Sequence, residues 1–254
     1  MISVVCVYND RKTLENNLLT GMQNQIADYE LILIDNTHER FSSAAKALNY
    51  GGRKATSKYI MFVHQDVYLP SANWLNQAEN YLNLIHDLGI AGVAGMAERG
   101  NSNEERGRNI VKHGNPLEIW AWGHPIAEPE QVQTLDECLV LVPKKVFDCH
   151  LFDETTCDGW DLYAVDYCLS IGQMGLVAYV LPLMIYHRSM GHVTESYFAI
   201  LNRVLKKHRN HCRRINTTVD SWSASYPLEV QRKFKFVRKK ALRAITKASS
   251  LIKG

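Results

Sequence analysis

Three apolar runs, rich in Val, Ile and Leu, lie within the first 66 residues, and each stops at a polar cluster. Ile2 to Tyr8 stops at Asn9-Asp10, Leu31 to Ile34 at Asp35-Asn36-Thr37, and Tyr59 to Val63 at His64-Gln65-Asp66. Short continuous apolar runs are what strands buried on both faces require. The segments between them carry helical spacing. Leu14, Leu18, Leu19 and Met22 form one stripe, and Ala44, Ala45 and Leu48 another within Ser42 to Leu48, which Gly51-Gly52 is expected to loosen or end. Ser71 is a candidate cap for a further helix with Trp74, Ala78, Leu82 and Ile85 on its buried side, followed by a strand from Ile90 to Val93. This alternation predicts an α/β fold: a mostly parallel sheet flanked by helices. Ligands of such sheets sit beyond the carboxyl ends of the strands. Asn9, Asp10, Asp35, Asn36, His64, Gln65 and Asp66 all fall there.

Further along, Ala97 to Asn115 is rich in Gly, Asn, Glu and Arg and reads as a long loop of the lid type. Leu139 to Val142 is a strand preceded by Asp136-Glu137, and a helix follows from about Leu162 to Met174, ended by Gly175. Strands from Leu176 to Leu181 and Ile185 to His187 precede an amphipathic helix from Ser196 to His211. Gly89, Gly92 and Gly95 follow a helix instead of opening one, so they read as packing around a strand and not as a dinucleotide fingerprint.

No apolar run reaches the length of a membrane span, and the first ten residues have no basic leader, so a cytoplasmic protein is expected. The six cysteines form no C-x-x-C pair and read as buried thiols in a reducing compartment; a zinc site from Cys157, Cys168 and a histidine lacks a ligand rhythm. Charge is unevenly spread. From Arg203 to Gly254 there are 15 Lys and Arg against 2 Asp and Glu, whereas the rest holds 14 against 24. The stretch Phe234 to Ile252 sets Val237, Leu242, Ile245 and Leu251 among cations, a pattern suited to an anionic bilayer, to a homodimer face or to a solvated tail. Nucleic acid is disfavoured, because the body is acidic and no recognition module is visible.

Several residue types point to chemistry. Asp66 after a buried strand suits a hard divalent cation, or else a simple turn. Asp35-Asn36 suits a ribose or base edge, or an Asx-turn. Asp161 and Asp166 are candidate general bases, although Asp166 at a helix start also answers the helix dipole. His187 and His192 bracket a short turn and are candidate metal ligands. Trp120, Trp122 and Trp160 either stack on sugar rings or fill a core.

Taken in order, these residues resemble the glycosyltransferase family 2-like group with the GT-A fold, over roughly residues 2 to 195. The resemblance rests on ISVVCVYND at the start, on the block ALNYGGRKATSKYIMFVHQDV, and on FDETTCDGWDLYAVDYCLS followed by HRSMG. The block ending in His-Gln-Asp is similar to a subgroup that writes the usual Asp-x-Asp metal motif in that form. The resemblance implies a GT-A domain over residues 1–200 and a basic helical extension over 201–254. It implies a nucleotide-sugar donor held by Tyr8, Asn9, Asp10, Asp35, Asn36, Asn49, Arg53 and Gln65. It implies a divalent metal ion, Mn2+ or Mg2+, held by Asp66, His187 and His64, and a catalytic base among Asp166 and Asp161. It further implies an inverting transfer to a glycan or lipid-linked acceptor in cell-surface polysaccharide or glycolipid synthesis. His64 and Ala164 stand at positions that are often acidic, which leaves a non-catalytic glycan- or partner-binding module as the alternative.

Overall fold

The computed structural model describes residues 1–109, 111–114, 123–189, 193–238 and 240. The first strand, β1 (Ile2–Tyr8), is buried over its first five residues. Asp10 then starts a helix by accepting the Lys12 and Thr13 backbone N–H groups. That helix runs from α1 (Arg11–Leu14) through a wider π turn at Glu15–Leu19 into α2 (Thr20–Gln23), burying Leu14, Leu18 and Met22. β2 (Tyr29–Asp35) returns parallel to β1, pairing Tyr8 with Asp35, so both polar clusters arrive at one edge.

α3 (Ala44–Gly52) is capped by Ser43 and ends at Gly51-Gly52, as expected. Both glycines also serve packing. A Cβ on Gly51 would lie 2.5 Å from Val5 Cγ1, and one on Gly52 would lie 2.4 Å from the Phe147 ring. The paired glycines let the helix press onto β1 and onto the Phe62, Phe147 and Phe152 rings, whose centroids lie 5.1 to 6.1 Å apart.

β3 (Tyr59–Val63) pairs parallel with β1 on its other side, and β4 (Val67–Tyr68) follows at once. α4 (Trp74–Leu84) begins at Asn73, not Ser71; the Ser71 hydroxyl accepts the Asn73 N–H and shapes the turn before the helix. β5 (Leu88–Gly92) and β6 (Ala94–Met96) come next. The expected long loop instead holds α5 (Asn103–Arg106), β7 (Gly107–Asn109) and β8 (Val111–His113). Its strands are three residues each and carry no apolar run, so periodicity does not reveal them. They form because β7 pairs with β6, and because the buried Arg106 guanidinium bonds Gly100 O and Asn103 Oδ1.

β9 (Glu130–Val132), β10 (Thr134–Leu135) and β11 (Leu139–Pro143) lead to α6 (Lys144–Cys149) and α7 (Tyr163–Gly172). β12 (Val177–Val180), β13 (Ile185–His187) and α8 (Glu195–His208) follow, and β14 (Arg214–Asn216) pairs with β15 (Ser221–Ser223) in a hairpin. The central sheet has the order β2-β1-β3-β11-β5-β12-β9. β1, β2, β3, β5 and β12 run one way; β11 and β9 run against them. Alternate residues feed two cores, with Val5, Ile60 and Phe62 on one face and Val4, Cys6, Met61 and Val63 on the other.

The expected division after residue 200 falls inside α8, whose Ile200, Leu201, Val204 and Leu205 are buried in the first of these cores. All six cysteines are free thiols, and Cys157 and Cys168 join no group of metal-ligating side chains among the described residues. No helix among those residues is long and apolar enough to cross a membrane. Trp120, Trp122, His192 and the tail beyond residue 240 lie outside the described residues.

Candidate active site

Two cavities open at the carboxyl edge of the sheet and share His64, Asp66 and Trp160. The smaller, about 350 Å³, is lined by Val7, Tyr8, Asn9, Asn36, Ala44, Leu48, Val63, Gln65 and Tyr163 besides those three. Gln65 ties the strand ends together. Its Oε1 accepts the backbone N–H groups of Asn9 and Asp10 at 3.0 Å each, and its Nε2 donates to Asn9 Oδ1 at 2.7 Å. Asp35 accepts the Tyr8 hydroxyl at 3.0 Å and both the N–H and hydroxyl of Thr37, and these donors hold its carboxyl below the usual range. Asn36 is buried and clamps Phe41 through its N–H and carbonyl.

Four of the expected donor residues, Asp10, Asp35, Asn49 and Arg53, do not line the pocket, and Asp35 reaches it only through its bond to Tyr8. Asp10 does not line the pocket; its carboxylate is occupied as the cap of α1. Asn49 is buried and holds the backbone N–H and carbonyl of Phe152. Arg53 stands at the far end of α3, whereas Ala44 and Leu48 of the near half face the pocket.

The larger cleft, about 570 Å³, adds His113, Asp136, Glu137, Asp161, His187, Tyr197 and the segment Thr217 to Val219. Between the cavities, ligating atoms of His64, Asp66 and His187 lie within 4.8 Å of one another. Strand pairing builds this cluster: β13 pairs antiparallel with β4, setting His187 opposite Val67, and Asp66 accepts the Ser189 N–H at 3.1 Å. His187 Nε2 is 3.4 Å from Asp66 Oδ1, and neither ring nitrogen has a hydrogen bond although both are buried. Buried polar nitrogens are normally partnered; beyond the ion pair with Asp66 these have no partner, and a metal ion would answer that.

His64 is also poised for ligation. Tyr163 donates its hydroxyl proton to Glu137 O at 3.0 Å, so the 3.2 Å contact between that hydroxyl and His64 Nε2 must be donated by the imidazole. Nδ1 is then left with a lone pair. Burial, and then His187, lower the His64 pKa to about 4, which keeps the ring neutral near pH 7. Burial works against ionisation of Asp66, but the His187 contact outweighs it and holds the carboxyl at about 2. Burial pushes His187 down, and Asp66 and Asp136 more than reverse that. A neutral nitrogen donor and a carboxylate beside an unbonded imidazole fit a Mn2+- or Zn2+-like ion better than an all-oxygen calcium site.

Around this cluster stand more carboxyls. Glu137 is raised well above its usual range by burial, then by Asp136 and Asp161. Asp161 is raised by burial and has no hydrogen-bond partner among the described residues. The next residue, Leu162, is buried with φ of 63°, a left-handed conformation that costs a branched side chain about 1 kcal/mol or more. Strain of this kind is held at one wall of the cleft.

Asp166 is not in either cavity. It is 2% exposed, with Oδ1 bonded to His208 Nε2 at 2.8 Å and Oδ2 to Lys207 Nζ at 2.7 Å. Both oxygens are engaged, so it has no room to take a proton from an acceptor, and it joins α7 to α8 instead. Of the two candidate bases, Asp161 alone lines a cavity. Asp136, a fallback base from the sequence, also lines the larger cleft, as do Glu137 and His113, while Tyr163 lines the smaller pocket; these last three were not expected. A signal for the acidic pair was present: Asp136-Glu137 adjoins a buried apolar run, like the other clusters. It precedes that run, and only the antiparallel course of β11 brings its amino end to the same edge.

A family model described as a glycosyltransferase-like family matches residues 3–210. Among solved structures, the fold is similar to the mannosyltransferase PcManGT from Pyrobaculum calidifontis, in complex with GDP-Man and Mn2+ (15% identity, TM-score 0.50, covering 83% of this chain and 62% of that one). It is similar to GalNAc-T7 with UDP, GalNAc and Mn2+ (15% identity, TM-score 0.60, 81% of this chain and 48% of that one). It is similar to residues 1–349 of S. aureus TarS in complex with UDP-GlcNAc (14% identity, TM-score 0.52, 84% and 73%). The chain thus spans less than two thirds of the first two of these proteins. A comparison with curated proteins finds no match.

Proposed function

The chain belongs to the glycosyltransferase-like family, and from that premise we propose that it transfers a sugar from a nucleotide-sugar donor to an acceptor hydroxyl. The observation that carries this reading is the meeting of two cavities at the His64, Asp66 and His187 cluster. A donor and an acceptor need separate compartments with one shared wall where the bond is exchanged.

The smaller pocket suits the nucleoside. Tyr8 and Leu48 offer apolar surface, and Asn9, Asn36 and Gln65 offer amide groups at the ends of β1, β2 and β3. The diphosphate then lies toward Asp66. Asp66, His187 and His64 would hold a divalent cation, which when bound offsets the charge gathering on the leaving nucleoside diphosphate. The wider cleft takes the acceptor. Its hydroxyl is far too weak an acid to ionise near neutral pH, so a carboxylate must accept its proton as the bond forms. We assign this role to Asp161; its support is that it lines the cleft, has no hydrogen-bond partner among the described residues, and has a pKa raised by burial, which makes it a stronger base than an exposed aspartate. Trp160 divides the two cavities and presents an apolar ring suited to a sugar face. Attack from the acceptor side on a donor held across the shared wall is a single displacement, which inverts the anomeric centre.

The test is transfer or donor hydrolysis with Mn2+ or Mg2+ over a panel of nucleotide sugars, comparing wild type with Asp66→Ala. Turnover that needs the metal and vanishes in the variant is the expected result. Absence of turnover with every donor, while the nucleotide still binds, would favour a binding module in place of an enzyme.

A further inference from the structure

Residues 228–238 form a helix whose two sides are unlike. One side is anchored. Leu228 is buried in the larger core. Arg232 lies 3.8 Å over the Phe198 ring and makes two hydrogen bonds to the Glu195 carboxylate. Lys235 lies 5.0 Å from the Trp222 ring centre and bonds Asp220 at 2.6 Å. These anchors recur every three or four residues, as one helix face requires.

The opposite side is bare. At 3.6 residues per turn, Val230, Phe234 and Val237 fall within about 60° of one another, facing away from the anchors. They are 59%, 69% and 64% exposed. Lys233 borders this stripe on one margin and Arg238 on the other; both are exposed, and neither has an ion-pair partner among the described residues. Phe236, 70% exposed, and Glu229 lie on the Lys233 side, and Glu229 is close enough to Arg232 to raise its pKa. From Val230 to the end of the sequence there are nine Lys and Arg and no Asp or Glu.

A stripe of large apolar side chains bordered by unpaired cations fits one chemistry best. Apolar chains enter the acyl boundary of a bilayer while the flanking cations meet lipid phosphates. A second copy of the same face would set cations against cations across a two-fold axis. Nucleic acid would use the cations and leave the stripe in water. We propose that the outward face of the 228–238 helix, Val230, Phe234 and Val237 bordered by Lys233 and Arg238, docks the protein onto an anionic bilayer surface. This inference does not depend on the glycosyltransferase reading. It has a consequence for it, because Asp220 and Trp222, which hold the helix, adjoin Thr217 to Val219, which line the wider cleft. Docking therefore holds that cleft close to the membrane, where a lipid-linked acceptor is presented.

The experiment is co-sedimentation of the full chain with phosphatidylcholine vesicles and with mixed phosphatidylcholine–phosphatidylglycerol vesicles, at low and high salt. Wild type should pellet with the mixed vesicles alone and be released by salt. Phe234→Gln with Val237→Gln should weaken binding on the order of tenfold or more, and Lys233→Gln with Arg238→Gln should reduce its salt sensitivity. Circular dichroism and a thermal melt check that both variants fold; their substitutions are all exposed. Equal pelleting of wild type and both variants would overturn the proposal, as would equal pelleting with phosphatidylcholine alone. So would light scattering that shows a wild-type dimer broken by the apolar pair of substitutions, since the face would then be covered by a second copy.

Discussion

Asp161 and Asp166 stand close together in sequence, yet their environments differ, and the proposed roles follow from that difference. Asp161 faces the cleft unbonded, with burial raising its pKa; Asp166 is enclosed by Lys207 and His208. Asp161→Asn is expected to lower kcat by ~10²–10⁴-fold while nucleotide affinity is kept; stopped transfer assays and calorimetry separate the two. A base must be deprotonated to act, so kcat/KM should fall as pH falls through the raised Asp161 pKa, at a higher pH than an ordinary aspartate gives. That acid limb should disappear in the Asn variant, and a limb that persists unchanged assigns it to another group. Asp166→Ala, in contrast, leaves a buried His208 and a half-buried Lys207 without their carboxylate, and should cost about 3–5 kcal/mol of stability. Its folded fraction should turn over nearly normally; loss of turnover at an unchanged melting temperature would return the base to Asp166. Both aspartates were equally visible in the sequence. What sets their surroundings apart is Lys207 and His208 on α8, which no spacing within the Asp161–Asp166 segment announces.

At the scale of elements, the strands of the first half were legible because each is a continuous apolar run ended by polar residues. The register of β1, β2 and β3 then puts Tyr8, Asp35 and His64 at one edge. Direction was the part that apolar runs do not encode. Leu139 to Val142 reads the same forwards and backwards, so the placement of Asp136 and Glu137 depends on β11 running against β3. The three-residue strands after Met96 were illegible for a different reason: β8 takes its partner, β13, from far along the chain, and β7 pairs back onto β6 without an apolar pattern of its own. Gly51 and Gly52 read as a stop, and α3 does end there, but they are contact points as well. Gly52→Ala should therefore destabilise the fold by about 1–3 kcal/mol, because its Cβ would meet the rigid Phe147 and Phe62 rings. Urea unfolding measures this, and an unmoved midpoint would show that the aromatic cluster yields easily.

The molecule as a whole sets an acidic body against a basic end, and it sets two cavities against one shared cluster of two histidines and an aspartate. The first contrast was plain in the charge count, whereas the second needed β13 to bring His187 across to Asp66, far along the chain. The account stands or falls on that cluster gripping a cation beside a nucleotide. A ligand that binds only the native state raises stability, by about 2.7 kcal/mol at a hundred times its dissociation constant, so the effect is readable as a melting-temperature shift before any acceptor is known. The most direct measurement is calorimetric titration of UDP and GDP into the wild type with Mn2+, with a chelator, and into Asp66→Ala and His187→Ala with Mn2+. The account predicts that at least one nucleotide binds the wild type only when the metal is present, and that either substitution abolishes that binding. Equal affinity with the chelator, or in either variant, would contradict it.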